Sequence, residues 1–335
     1  MKAPARHETI LASPLEWGLG HTVRLVPFIE TALADGHRVI LASDGTSLDF
    51  LRHRFPLLEW VRLPFYPVRY AAGNQFFTRL FPQIPGIWGA IRSNHRQLSR
   101  LVKEYGITRV ISDHRYGMWH SDVHSIFITN QLWLKAPRGF GFAEGFVYRI
   151  HRIALRNFSE ILIADHAGEP NLSGLLTHPR RLPANAAYIG PVSRFMGIAA
   201  EKPADAAPFD VLAIVSGPEP QRTLLEELLT KRFSKSGESA VILRGLPPKD
   251  PSTEPYRRHD GNILFIDHAR DEQLAWYIFH AREIICRPGN STLSDLLYFG
   301  KTALLVPTPG QTEQEYVAGH LEKRGGFKLI RQKDL

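Results

Sequence analysis

Short apolar runs alternate with amphipathic segments twice along this 335-residue chain, with a break between the two passes. In the first pass the strand-like runs are residues 9–13, 38–43, 58–63, 109–112, 125–129 and 160–164. Helical patterns such as 22–34 and 91–104 lie between them. In the second pass the strands are 211–216, 240–244, 263–266, 284–286 and 303–306, with helices at 221–233, 271–279, 292–299 and 313–323. That order predicts parallel sheets with covering helices, an α/β fold. The break, 196–208, is rich in Ala, Pro and charge, lacks periodicity and reads as a linker. Two similar halves joined there enclose a cleft, and α/β sheets bind ligands beyond the C-terminal ends of their strands. The pattern stops at Leu335, where another helix could begin, so a final helix is expected to be absent or incomplete.

Composition narrows the function classes. The net charge of +8 calls for an anionic partner: nucleic acid, anionic lipid or a phosphorylated ligand. The basic residues are spread along the chain, and no zinc-finger spacing, RNP-like aromatic motif or basic zipper is present, so nucleic acid is not expected. One cysteine, Cys286, gives no internal disulfide. No apolar run reaches the ~18 residues of a membrane span, and the start lacks the order of a signal peptide. The expectation is a cytoplasmic protein. Two stretches, 65–88 and 139–150, interleave aromatic residues with arginine. They read either as a membrane-surface patch or as helices facing a core or a dimer partner.

The loops after the strands carry the polar residues. Gly18-Leu19-Gly20-His21 opens the first helix, where glycine permits close approach of a ligand and His21 faces the cleft, or simply packs. Asp113 ends a strand and can take a proton, orient a substrate or cap the next helix. Asn130 and Gln131 follow the next strand and suit sugar hydroxyls, pyrophosphate or loop backbone. In the second half, Ser216-Gly217 and Gly289-Asn290-Ser291-Thr292 each precede a helix, and free N–H groups there suit a phosphate, with Arg222 adding charge. Asp295 lies one turn further and can reach a ribose. The backbone of Phe265 or Ile266 can pair with a base edge, and Arg244 can stack on it or lie at the surface. Gln311, Glu313, Gln314 and Glu315 fill a last Pro/Gly loop suited to the polar group a nucleotide carries. His120 and His124 have helical zinc spacing, but no third ligand stands at a telling distance. No Gly-x-Ser-x-Gly elbow occurs and Cys286 lies on a buried strand, which disfavours a hydrolytic nucleophile.

Cys286-Arg287-x-Gly289-x-x-Thr292-x-x-Asp295, with Gly300, Pro307 and Gln314, resembles the donor signature of family 28 nucleotide-sugar glycosyltransferases of the GT-B fold. The first-half loop Gly18–His21 is similar to that family's glycine-rich loop, with one glycine fewer. The resemblance implies two Rossmann-like domains, an acceptor-side domain 1–195 and a donor domain 209–335. It implies that Asp295 binds ribose hydroxyls, that Gln314 and Glu315 meet the donor sugar, and that Ser216-Gly217 and Gly289–Thr292 hold the diphosphate. Gly18, Gly20, Asn130 and Gln131 fall on the acceptor side. The expected reaction is a metal-independent, inverting transfer from a UDP-sugar, with N-acetylhexosamine as the sugar and His21 or Asp113 as base. The acceptor is a hydroxyl of an envelope glycan or glycolipid, met at the inner face of an anionic membrane. No cofactor is expected beyond the UDP-sugar, and no Asp-x-Asp metal motif occurs. A UDP-sugar 2-epimerase and a non-catalytic nucleotide-sugar binding subunit remain alternatives.

Overall fold

The computed structural model describes residues 7–16, 18–64, 83–136, 139–204, 206–215, 217, 219–248, 250 and 253–335. The first half runs β1 (Thr9–Pro14), α1 (Leu19–Ala34), β2 (Arg38–Ser43), α2 (Gly45–Arg54), β3 (Glu59–Arg62), α3 (Ile84–Tyr105), β4 (Arg109–Asp113), β5 (His124–Thr129), α4 (Glu144–Leu155), β6 (Glu160–Ile163) and β7 (Ala186–Tyr188). The second runs β8 (Val211–Ile214), α5 (Gln221–Ser236), β9 (Ala240–Leu243), β10 (Arg257–Asp260), β11 (Ile263–Ile266), α6 (Asp271–His280), β12 (Glu283–Cys286), α7 (Asn290–Tyr298), β13 (Leu304–Leu305), α8 (Thr312–Arg324) and β14 (Lys328–Leu329).

The first sheet has the order β3-β2-β1-β4-β5-β6-β7 and is parallel throughout. The second has the order β10-β11-β9-β8-β12-β13-β14, parallel except for the antiparallel β10–β11 pair. Both are Rossmann-like sheets, as expected. Alternate residues of one strand feed opposite faces. Ile10 and Ala12 of β1 pack with Val26 and Ile29 of α1, while Leu11 packs with Leu98 and Leu101 of α3. In the second sheet Val211 and Ala213 meet Leu225, Leu229 and Phe233 of α5, while Leu212 joins a core with Leu274, Leu293 and Val317. Each core is thus a sheet with helices on both faces. That is why the central strands carry contiguous apolar runs rather than an alternation.

The strand order reverses between β1 and β4 in one sheet and between β8 and β12 in the other. Loops leaving on opposite sides at such a point open a crevice. The β1–α1 and β4–β5 loops of the first domain therefore face the β12–α7 and β13–α8 loops of the second. Residues 189–208 connect the domains, and Phe195 is fully buried in the second core with Leu172 and Leu176. His120 and His124 do not share a helix: His120 lies in a bridge with Val123, and His124 starts β5. Of the two aromatic stretches, residues 65–82 lie outside the described residues.

Candidate active site

The site assembles at the β1–β4 switch point. Pro14, the last residue of β1, is in register with Asp113, the last of β4. The chain then turns through Gly18, whose φ of 114° favours glycine, and enters α1. His21, in the first turn, donates from Nδ1 to Asp113 Oδ1 at 2.7 Å. One turn on, Arg24 reaches the same carboxylate from Nε (2.5 Å) and Nη2 (2.9 Å). Its Nη1 donates to Asn130 Oδ1 at 2.9 Å and across the cleft to Asn290 Oδ1 at 3.0 Å. Arg24 and Asp113 are fully buried, while the His21 side chain is 20% exposed.

The electrostatics divide the labour. Burial works against an ionised Asp113, but the Arg24 guanidinium and His21 outweigh it and hold the carboxyl well below the usual carboxylate range. Asp113 is therefore a permanent anion already bound to two donors, suited to orient His21 and not to accept a further proton. With Nδ1 fixed toward Asp113, the ring's Nε2 is the nitrogen left to meet an acceptor. His114 has a left-handed backbone, φ 54°. Its ring lies 4.8 Å from that of His21, and its Nε2 accepts the Asn130 N–H at 3.4 Å. Burial, and then the neighbouring His21, push its pKa well down, so His114 is neutral.

Glu313, in the first turn of α8, closes this cluster from the other domain by accepting from Asn130 Nδ2 at 3.1 Å. Burial raises its pKa against the pull of His21, Asn130 and Arg24. Arg24 and His114 are the residues of this cluster that the sequence analysis gave no site role. Glu313 stands in the polar loop already singled out, but helix geometry decides which of its neighbours turns toward the cleft. Among the described residues, His21, Asp113 and His114 are the group able to offer metal ligands, with ligand atoms within 4.8 Å of one another. A guanidinium already sits on that carboxylate.

The N-termini of α1 and α7 meet at the cleft. Ser291 Oγ donates to Gly20 O at 2.6 Å, and Asn290 Nδ2 donates to Ser173 Oγ at 3.2 Å. A Cβ at Gly20 would lie in van der Waals contact with Ser291 Oγ, at 3.4 Å. Two helix N-termini facing each other concentrate partial positive charge, which suits a diphosphate. Beside them is a small pocket that opens to solvent. Leu19, Gly20 and Phe50 line it from the first domain, Leu243, Gly245, Asp267, His268, Ser291, Thr292 and Asp295 from the second. Burial, His53 and Arg194 push His268 down to about 3, so it enters the cavity wall uncharged.

Several expected ligands are engaged elsewhere. Arg222 pairs with Glu219 in the turn before its helix and with Glu226 of the same helix. Arg244 is held between Glu226 Oε2 (2.9 Å) and Asp267 Oδ1 (2.6 Å). Phe265 and Ile266 lie between β10 and β9 with their backbones in both ladders, so the residues after them, Asp267 and His268, form the cavity wall instead. Gln314 Oε1 accepts from Thr308 N at 2.8 Å and Glu315 Oε1 from Gly310 N at 3.0 Å, which ties both to their own loop. Gln311 occupies the cap position of α8 without a capping side-chain bond. The Gln131 N–H donates to Thr129 Oγ1. Gly217 and Gly289 lie in the loops before α5 and α7, and Ser216 lies outside the described residues. Asp295 is buried, accepting from Ser193 Oγ at 2.8 Å and from Arg194 Nε and Nη2 at 3.1 Å each.

Comparison with known proteins places the architecture. Residues 265–335, from β11 through α8 to the last residue, match the glycosyltransferase family 28 C-terminal domain. Over 126 residues, 36% of this chain, the sequence is 30% identical to the UDP-N-acetylglucosamine–N-acetylmuramyl-(pentapeptide) pyrophosphoryl-undecaprenol N-acetylglucosamine transferase of Caldanaerobacter subterraneus subsp. tengcongensis. The match spans about a third of that relative, 33% of its length. The two domains together superpose on the Streptomyces sp. SF2575 glycosyltransferase SsfS6 with a TM-score of 0.59 at 13% identity, covering 96% of this chain and 88% of that one. For Acinetobacter baumannii MurG the TM-score is 0.53 at 14% identity, covering 98% and 86%. The fold is GT-B.

Proposed function

We propose that the protein transfers a sugar from a UDP-sugar to a hydroxyl acceptor by a single inverting displacement, without a metal. The observation that carries this reading is the His21–Asp113 pair, 2.7 Å apart, placed beside two facing helix N-termini. His21 Nε2 takes the acceptor proton as the acceptor oxygen bonds to the anomeric carbon. The bond from that carbon to the diphosphate breaks on the opposite side. The leaving charge meets the N–H groups of Gly20, Ser291 and Thr292 at the helix starts. Asp113 holds the imidazole in one tautomer and stabilises its charged form. Arg24 keeps Asp113 ionised, so that the carboxylate goes on orienting His21. Glu313 faces the same space and suits hydroxyls of the transferred sugar. An N-acetylhexosamine donor and a lipid-linked acceptor follow the relative's name, which specifies both. Acceptor-dependent release of UDP in the presence of EDTA tests the reading.

A lipid-linked acceptor fits one surface of the first domain. Phe142 (84% exposed), Phe146 (68%), Ile150 and Ile153 (58%) line one face of α4 and the turn before it. Arg149, Arg152 and Arg156 flank them, exposed. The single acid between 139 and 158, Glu144, is bound by Trp133 Nε1 and Lys135. An apolar stripe edged by arginine suits an anionic bilayer surface. No helix among the described residues is long and apolar enough to cross one. Flotation with phosphatidylglycerol vesicles at low salt should recover the protein. The Phe142→Ser/Phe146→Ser variant should bind about tenfold more weakly, since two buried aromatic anchors are lost. Equal flotation of both proteins, or none of either, contradicts this surface.

A further inference from the structure

We propose that Arg194 and Ser193, in the segment connecting the two domains, occupy the ribose position on Asp295 and that a donor must displace them to bind. The proposal rests on the reading of the cleft as a nucleoside diphosphate site. A ribose diol would present two O–H donors to the two carboxylate oxygens. Here a hydroxyl, Ser193 Oγ, donates to Oδ1, and two guanidinium N–H groups donate to Oδ2. Three of about four acceptor positions on the carboxylate are thus filled by this chain itself. Arg194 and Asp295 both line the cavity beside the α7 N-terminus, so the ion pair is part of the wall a donor would meet.

The pair is built to let go. Arg194 Nη1 already donates to Asp271 Oδ1 at 3.3 Å, at the start of α6. When Asp295 is taken by a ribose, the guanidinium keeps a carboxylate and is not stranded as a lone buried charge. Asp271 in turn lies 3.2 Å from Arg54 Nε of α2, and Arg54 is 2.5 Å from Glu30 of α1. The exchange at Asp295 therefore adjusts a relay running from the donor helix, through the connecting segment, to the first domain. Arg194 is a positioning residue in this scheme: it sets the cost of donor entry rather than touching the reacting atoms.

Titration calorimetry with UDP and with 2′,3′-dideoxy-UDP, in EDTA, separates the contact. Arg194→Ala should tighten UDP about tenfold, the equivalent of one lost charge-assisted competitor. Ser193→Ala should tighten it by a smaller factor, and it tests the idea independently if the arginine variant folds poorly. The dideoxy nucleotide, lacking the competing hydroxyls, should bind all three proteins alike. Unchanged or weaker UDP binding by the folded variants, or an equal change for the dideoxy nucleotide, overturns the proposal while leaving the donor site standing. Failure of the wild-type protein to bind any nucleoside diphosphate overturns the donor site and the proposal with it.

Discussion

His21→Ala is expected to lower kcat for sugar transfer by about 10²–10⁴-fold, the usual range for loss of a positioned general base. UDP affinity should stay within about twofold, because the helix N-termini and the cavity wall are untouched. The expectation follows from the dyad geometry. Asp113 is buried, anionic and already accepts from Arg24, so it has no capacity to take over the proton. His114 is neutral but accepts from the Asn130 N–H, which leaves its Nε2 occupied. Neither neighbour rescues the loss. A drop in affinity with kcat unchanged would mean that His21 binds donor and does not move the proton.

Arg24→Leu has the largest expected effect on stability. The substitution strands a fully buried carboxylate with the His21 Nδ1–H as its remaining side-chain donor, and it leaves Asn130 Oδ1 and Asn290 Oδ1 without their donor. Breaking a buried pair by removing one member costs about 3–5 kcal/mol. The pH dependence has a definite sign. A carboxyl whose folded pKa is depressed contributes stability that is present above its unfolded pKa, about 3.9, and is lost as pH falls toward the folded value. Wild-type protein holds that contribution at pH 7 and loses it in acid. The gap in Tm between wild type and Arg24→Leu should therefore be widest near neutrality and narrow below about pH 4. A gap constant from pH 7 to pH 3 would show that Arg24 acts through packing rather than through Asp113.

Much of the fold is legible in the sequence because its strands are contiguous apolar runs. Residues 38–43 and 263–266 read directly as β2 and β11. The elements that escape are those without such a signal. Strand β10 is Arg-Arg-His-Asp, a largely exposed edge that pairs antiparallel with β11. The site divides in the same way. His21 and Asp113 stand at a helix start and a strand end, where chemistry is expected on positional grounds. Arg24 looks like an ordinary helix residue. Its role comes from partners 89, 106 and 266 positions away, and nothing local announces them. Asp295 shows the opposite limit: the residue is conspicuous, but its partners Ser193 and Arg194 lie about a hundred positions earlier in the connecting segment. In the last loop, all four polar side chains suit a sugar equally on paper. The start of α8 turns Glu313 to the cleft and folds Gln314 and Glu315 back onto Thr308 and Gly310.

The central claim is that this cleft moves a sugar with a histidine base and no metal. Its most direct test is transfer from UDP-N-acetylglucosamine to a polyprenyl-pyrophosphoryl sugar in EDTA, with the anomeric proton coupling of the product read by NMR. The account predicts acceptor-dependent UDP release, a β-linked product from the α-linked donor, and loss of both on His21→Ala. An α-linked product, or turnover that appears only when Mg²⁺ or Mn²⁺ is restored, would contradict it.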